Sequence, residues 1–125
     1  MTTVLVVEDN PLNLKLAEVI LNRGGYSVLT ARDGESGLQM VRDRCPALVV
    51  LDVQMPGMDG LAVTRTLRAD PATAQVKILA LTALAMKGDE ERIRAAGCDA
   101  YLAKPFEFHA LLDTVARLLD GTPAA

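Results

Sequence analysis

The sequence predicts an α/β fold, a doubly wound parallel sheet of five strands covered by five helices. Three observations carry this. Short apolar runs alternate with amphipathic stretches of helical period along the whole chain. The runs Val4–Val7, Ala47–Leu51 and Lys77–Leu81 are nearly continuous in Val, Leu, Ile and Ala, as strands covered on both faces must be. Right-handed crossovers between parallel strands then place helices on both sides of the sheet.

Each element has its own signal. The first strand is Val4–Val7. Asn10 followed by Pro11 reads as an N-cap and a proline at the first helical position, and Leu12, Leu16, Val19 and Ile20 form an apolar stripe that Gly24-Gly25 ends. The second strand is Ser27–Ala31, and Asp33 caps a helix with Leu38 and Val41 facing inward. The third strand, Ala47–Leu51, leads to a helix capped by Asp59 with Val63 and Leu67 inside. The fourth strand, Lys77–Leu81, precedes a helix from Ala85 to Ala96 ended by Gly97. The fifth, Ala100–Leu102, precedes a last helix with Leu111, Leu112, Val115, Leu118 and Leu119 on one face.

Size and composition bound the function. The 125 residues suffice for one domain and not for two ordinary ones. With two Phe, two Tyr and no Trp, the core must be aliphatic. A net charge of −3 without a basic stripe or interleaved aromatics argues against nucleic acid as a partner. The start has no basic segment, and Val4–Val7 is too short for a signal peptide or a membrane span, so a cytoplasmic protein that does not engage membranes is expected. Cys45 and Cys98 lack metal or redox spacing and are expected to be buried or half-buried free thiols. The tail from Gly121 to Ala125 is expected to fray.

In a sheet of this kind, ligands sit outside the C-terminal strand ends. Here those ends carry Glu8 and Asp9 after the first strand, Asp52 at the third, Thr82 at the fourth, and Lys104-Pro105 after the fifth. Each residue alone has a bland explanation as a cap, a turn or a solvated side chain. Together they put three carboxylates, a hydroxyl and an ammonium on one edge. Carboxylates converging in a crevice repel one another and call for a cation. Hard oxygen donors with no His or Cys beside them suit Mg²⁺ or Mn²⁺. Such a site can bind phosphate oxygens, and an aspartate there can act as a nucleophile toward phosphorus. Asp52, which terminates the central strand, is the best candidate for that role.

At these residues the chain resembles the receiver domains of bacterial two-component response regulators. The matching pieces are Val6-Val7-Glu8-Asp9-Asn10, Leu51-Asp52-Val53-Gln54-Met55-Pro56-Gly57-Met58-Asp59-Gly60, Leu81-Thr82-Ala83 and Lys104-Pro105-Phe106. The likeness covers about residues 3–119, so residues 1–125 are expected to be a single receiver domain with that core and no DNA-binding output domain. The stretch from Thr82 to Glu91 and then Ala96 to Tyr101 is similar to single-domain regulators of the DivK type and to receivers of hybrid kinases.

The resemblance implies the strand order 2-1-3-4-5. It implies Glu8, Asp9, Asp52 and the backbone carbonyl of Gln54 as ligands of Mg²⁺, and Asp52 as the phosphoacceptor. Thr82 and Lys104 would contact the phosphoryl oxygens, Thr82 and Tyr101 would form the switch, and Lys104-Pro105 would be cis. The donor would be a histidine kinase or a histidine phosphotransfer protein, and the output a changed contact with a downstream protein. The only catalysis would be of the domain's own aspartyl phosphorylation and dephosphorylation. The resemblance places Gln54 and Leu84 beside the path of an attacking water, so that apolar Leu84 would favour slow dephosphorylation. His109, in the first turn of the last helix, is not expected to be a phosphoryl donor, since the donor histidine belongs to the partner.

Two rival readings stand apart. A flavin or nucleotide binder would want a glycine- or hydroxyl-rich loop after the first strand, where Glu8-Asp9-Asn10-Pro11 would repel a phosphate. An aspartate-nucleophile phosphatase would resemble a D-x-D-x pattern after the first strand, whereas the candidate here follows the third.

Overall fold

The structure, a computed structural model, describes residues 2–83 and 87–120. Ten elements alternate: β1 (Thr3–Val7), α1 (Pro11–Arg23), β2 (Ser27–Ala31), α2 (Gly34–Arg44), β3 (Leu48–Asp52), α3 (Gly60–Ala69), β4 (Lys77–Thr82), α4 (Lys87–Ala96), β5 (Ala100–Ala103) and α5 (Phe108–Asp120). The five strands form one parallel sheet in the order β2-β1-β3-β4-β5. This is the expected doubly wound fold. The expected start of the fourth helix at Ala85, Leu84 with its expected shielding role, and the tail from Gly121 all lie outside the described residues. Among the described residues, no helix is long and apolar enough to cross a membrane.

The period of two along each strand divides the core. Leu5, Val7, Val49, Leu51, Ile78 and Ala80 face one side and pack with residues of α2, α3 and α4. Val4, Val6, Leu48, Val50, Leu79 and Leu81 face the other and pack with α1 and α5. Val4 through Val7 are fully buried, which is why the central strands are apolar at every position. The inward faces of α2, α3 and α5 are those expected, with Leu38, Val41, Val63, Leu67, Leu111 and Val115 buried.

Helix α1 departs from expectation. Of the stripe Leu12, Leu16, Val19 and Ile20, only Ile20 is buried; Leu12 is 77% exposed, Leu16 47% and Val19 39%. The buried face is instead Ala17, Ile20 and Leu21. At 100° per residue, Leu12, Leu16 and Val19 fall within one arc and Ala17, Ile20 and Leu21 in the next. The helix is therefore apolar over most of its circumference, and spacing alone does not reveal which arc meets the sheet. The cysteines are both free, and Cys98 is buried as expected, but Cys45 is exposed. It forms the C-cap of α2 in a left-handed conformation (φ 46°), a position that carries the side chain out of the core.

At the N-terminal edge of β4 and β5, Arg68 acts as a clamp. Its Nε donates to the Gly97 carbonyl at 2.9 Å, and its Nη1 to those of Ala74 and Val76 at 2.8 and 2.5 Å. Its Nη2 meets Asp99 Oδ2 at 2.8 Å, and that same oxygen accepts from the Ile78 amide at 2.8 Å. One guanidinium thereby ties α3, the segment before β4 and the turn before β5.

Candidate functional site

Four strand ends build the site. β1 delivers Glu8, whose amide still donates to the Ala31 carbonyl at 3.0 Å and so continues the pairing with β2. The chain then turns at once into α1, because Asn10 Oδ1 accepts from the Leu12 and Asn13 amides at 3.0 and 3.1 Å and Pro11 begins the helix. That turn leaves Asp9 half-buried at the rim. Asp52 is the last residue of β3 and Thr82 the last of β4; they are 2% and 1% exposed. Lys104 follows β5, and its amide donates to the Thr82 carbonyl at 2.7 Å, locking the two strand ends together. The Lys104-Pro105 bond is cis.

The loop after Asp52 is held by close packing. Gln54 N donates to Asp52 Oδ1 at 3.0 Å, and the Gly60 amide donates to the Val53 carbonyl at 3.1 Å. A methyl group at Gly60 would collide with the Asp52 carbonyl oxygen and lie 2.8 Å from Val53 Cα. Glycine is thus required for α3 to start directly beneath the end of β3. Gly60→Ala is expected to cost about 2–4 kcal/mol, since backbone rather than a flexible side chain must yield. Urea denaturation checks this, and an unchanged midpoint would contradict it.

Carboxylate oxygens of Glu8, Asp9 and Asp52 all lie within 4.8 Å of one another. Lys104 reaches into this group, with Nζ 2.8 Å from Glu8 Oε1 and 3.2 Å from Asp52 Oδ1. Burial raises the Asp52 carboxyl, and the neighbouring Glu8 raises it further, to about 7. Burial also acts to raise Glu8, but Asp52 and the Lys104 ammonium outweigh it and hold Glu8 below the ordinary carboxylate range. Desolvation acts to lower Lys104, yet contact with Glu8 and Asp52 raises it, so it stays charged. The edge therefore sets three carboxyl groups against a single lysine.

A divalent cation fits this donor set. Glu8 is 1% exposed, and among the described residues its Oε2 is the one buried side-chain oxygen or nitrogen without a hydrogen-bond partner. An orphaned buried carboxylate oxygen beside two further carboxylates is the arrangement that a hard cation satisfies. The structure thus brings together Glu8, Asp9, Asp52 and Lys104, with Gln54 and Thr82 on the same edge. Tyr101 lies one strand away, half-buried in β5 under Arg94. His109 is exposed and meets the Phe108 ring edge to face at 5.4 Å. Sequence reasoning missed the Arg68 clamp, two of whose partners, Gly97 and Asp99, are 29 and 31 residues away and leave no local pattern.

Comparison with known proteins places this geometry in a group. Residues 4–116 match the family model described as the response regulator receiver domain. The polar-differentiation response regulator DivK of Brucella anthropi is 41% identical over 113 residues, 90% of this chain and 92% of that protein. Among solved structures, the receiver domain of a sensor histidine kinase from Pseudomonas aeruginosa, with a magnesium ion coordinated in its active site cleft, superposes with a TM-score of 0.88 at 35% identity, covering 95% of this chain and 98% of that one. Chemotaxis response regulator CheY4 of Vibrio cholerae superposes with a TM-score of 0.89 at 30% identity, covering 94% and 98%.

Proposed function

The chain belongs to the family of response regulator receiver domains of two-component signalling, and on that premise we propose that it accepts a phosphoryl group on Asp52 from a phosphohistidine of a histidine kinase or phosphotransfer protein. The observation that carries this reading is the convergence of Glu8, Asp9, Asp52 and Lys104 at one strand edge, with Glu8 Oε2 left without a partner. An Asp52 oxygen attacks phosphorus, the bond from phosphorus to the imidazole nitrogen breaks, and its electron pair returns to the ring, which takes up a proton. Lys104 neutralises charge on the phosphoryl oxygens, and Thr82 donates its hydroxyl to one of them. Glu8, Asp9, Asp52 and the Gln54 carbonyl would hold Mg²⁺ or Mn²⁺, which would supply charge neutralisation for the phosphoryl group.

Residues 1–125 act as one receiver domain with a core of about residues 3–119, in the cytoplasm. Its only catalysis is of its own phosphorylation and dephosphorylation. Thr82 and Tyr101 carry the change to the face of α4, β5 and α5, where a downstream protein binds.

Exposed apolar residues near the site support a docking face for the donor. Leu12, Leu16 and Val19 on α1 and Phe108 on α5 are the exposed large hydrophobics among the described residues. Leu12 lies three residues after Asp9, and Phe108 four after Lys104. Exposed apolar side chains on the helix that follows Asp9 suit a partner helix that presents a phosphohistidine. Leu12→Asp with Leu16→Asp is expected to slow transfer from a phosphorylated donor protein at least tenfold, about 1.4 kcal/mol or more of docking energy. Uptake from acetyl phosphate, which needs no docking, should be unchanged. Equal loss with both donors would mean the fold was damaged, and no loss with the protein donor would remove α1 from the docking face.

A further inference from the structure

On the side of the sheet opposite α1 and α5, β5 meets α4 at a small polar cluster that the phosphoacceptor site does not use. Tyr101 pairs across with Ala80 and packs against the same core cluster, on the α4 side. The Arg94 guanidinium lies over its ring, with Cζ 5.8 Å from the centroid. Arg94 Nε is 3.4 Å from Glu90 Oε1, one turn earlier on α4. Arg94 thereby links the Glu90 carboxylate to the Tyr101 ring, and the nearby Glu90 carboxylate holds the Tyr101 hydroxyl above the ordinary phenol range.

The recess beside Thr82 is lined by Val53 and Leu61 and, from α4, by Asp89, Arg92 and Ile93, so the helix that carries Glu90 and Arg94 also borders Thr82.

We propose that Glu90 and Arg94 form a latch on α4 that holds Tyr101 in its present seat and keeps the unphosphorylated protein off. This rests on the reading of Thr82 and Tyr101 as the switch given above. Glu90 and Arg94 are positioning residues, since neither touches the reacting groups. The cation over the ring and the exposed ion pair are individually weak, so the latch tunes the balance between states and does not lock it.

Fluorine NMR of the full chain labelled with 3-fluorotyrosine tests this directly. The chain has two tyrosines, and Tyr26→Phe assigns the signals. In the wild type, Mg²⁺ with acetyl phosphate should shift the Tyr101 signal. Without phosphate donor, Glu90→Ala and Arg94→Ala should each move it part of the way to the phosphorylated position. Both should also speed uptake from acetyl phosphate roughly two- to fivefold. Glu90→Gln, which keeps an oxygen facing Arg94 but not the charge, should lie between. A Tyr101 signal and an uptake rate unchanged in both alanine variants would overturn the latch while leaving the switch intact. A wild-type signal that does not respond to phosphorylation would overturn the switch reading and the latch with it.

Discussion

The metal-free protein is expected to lose stability as the pH rises from about 5 to about 7.5, and Asp52→Asn is expected to abolish that loss. The cause is the buried Asp52 carboxyl, raised from 3.8 to about 7 by burial and by Glu8. Between those values the folded state binds more protons than the unfolded state, so stability falls as pH increases through the window. A shift of about three units corresponds to on the order of 2–4 kcal/mol. Glu8 is displaced in the opposite direction, and its contribution is present above its unfolded value of 4.5 and lost below it. Its effect therefore lies at lower pH and does not mask that of Asp52. Mg²⁺ should flatten the curve, because binding at 100 times its dissociation constant adds about 2.7 kcal/mol and protons compete with it. Thermal melts across pH, with and without Mg²⁺, check this. A metal-free wild type that gains stability between pH 5 and 7.5, or an Asn variant that melts lower at pH 7.5, would contradict it.

Arg68→Met should be the most damaging substitution far from the site. It removes donors from the carbonyls of Gly97, Ala74 and Val76 and leaves Asp99 without its cation. A purely buried charge network would lose about 3–5 kcal/mol when broken. The side chains of Arg68 and Asp99 are 23% and 30% exposed, so water can recover part of this, and about 2–4 kcal/mol is expected. Arg68→Lys keeps the charge but not the fork of donors, and should lose less. Asp99→Asn should be mild, because its oxygen can still accept from the Ile78 amide. Equal stability of the wild type and Arg68→Met in urea would refute the clamp.

What the sequence reveals follows from how local the signals are. β1, β3 and β4 were legible because strands covered on both faces leave no polar position, and the caps Asn10, Asp33 and Asp59 were legible because each acts within three residues. The candidate site was legible because parallel strands must bring their C-terminal ends to one edge, so Glu8, Asp9, Asp52, Thr82 and Lys104 had to be neighbours once the order of elements was known. The exposed arc of α1 was not legible, since Leu12, Leu16 and Val19 keep the same spacing as a core stripe and only the position of the sheet distinguishes them. Cys45 was misjudged for a related reason: its exposure depends on the left-handed cap that ends α2. The Glu90, Arg94 and Tyr101 cluster and the Arg68 clamp join different elements, and nothing local announces such partners.

Intact-protein mass spectrometry after incubation with acetyl phosphate tests the central claim most directly. With Mg²⁺ present, the wild type should gain the mass of one phosphoryl group, peptide mapping should place it on Asp52, and Asp52→Asn should gain none. Without Mg²⁺ the gain should nearly vanish. A phosphoryl group on the Asn variant to the same extent, or on another residue of the wild type, would contradict the account.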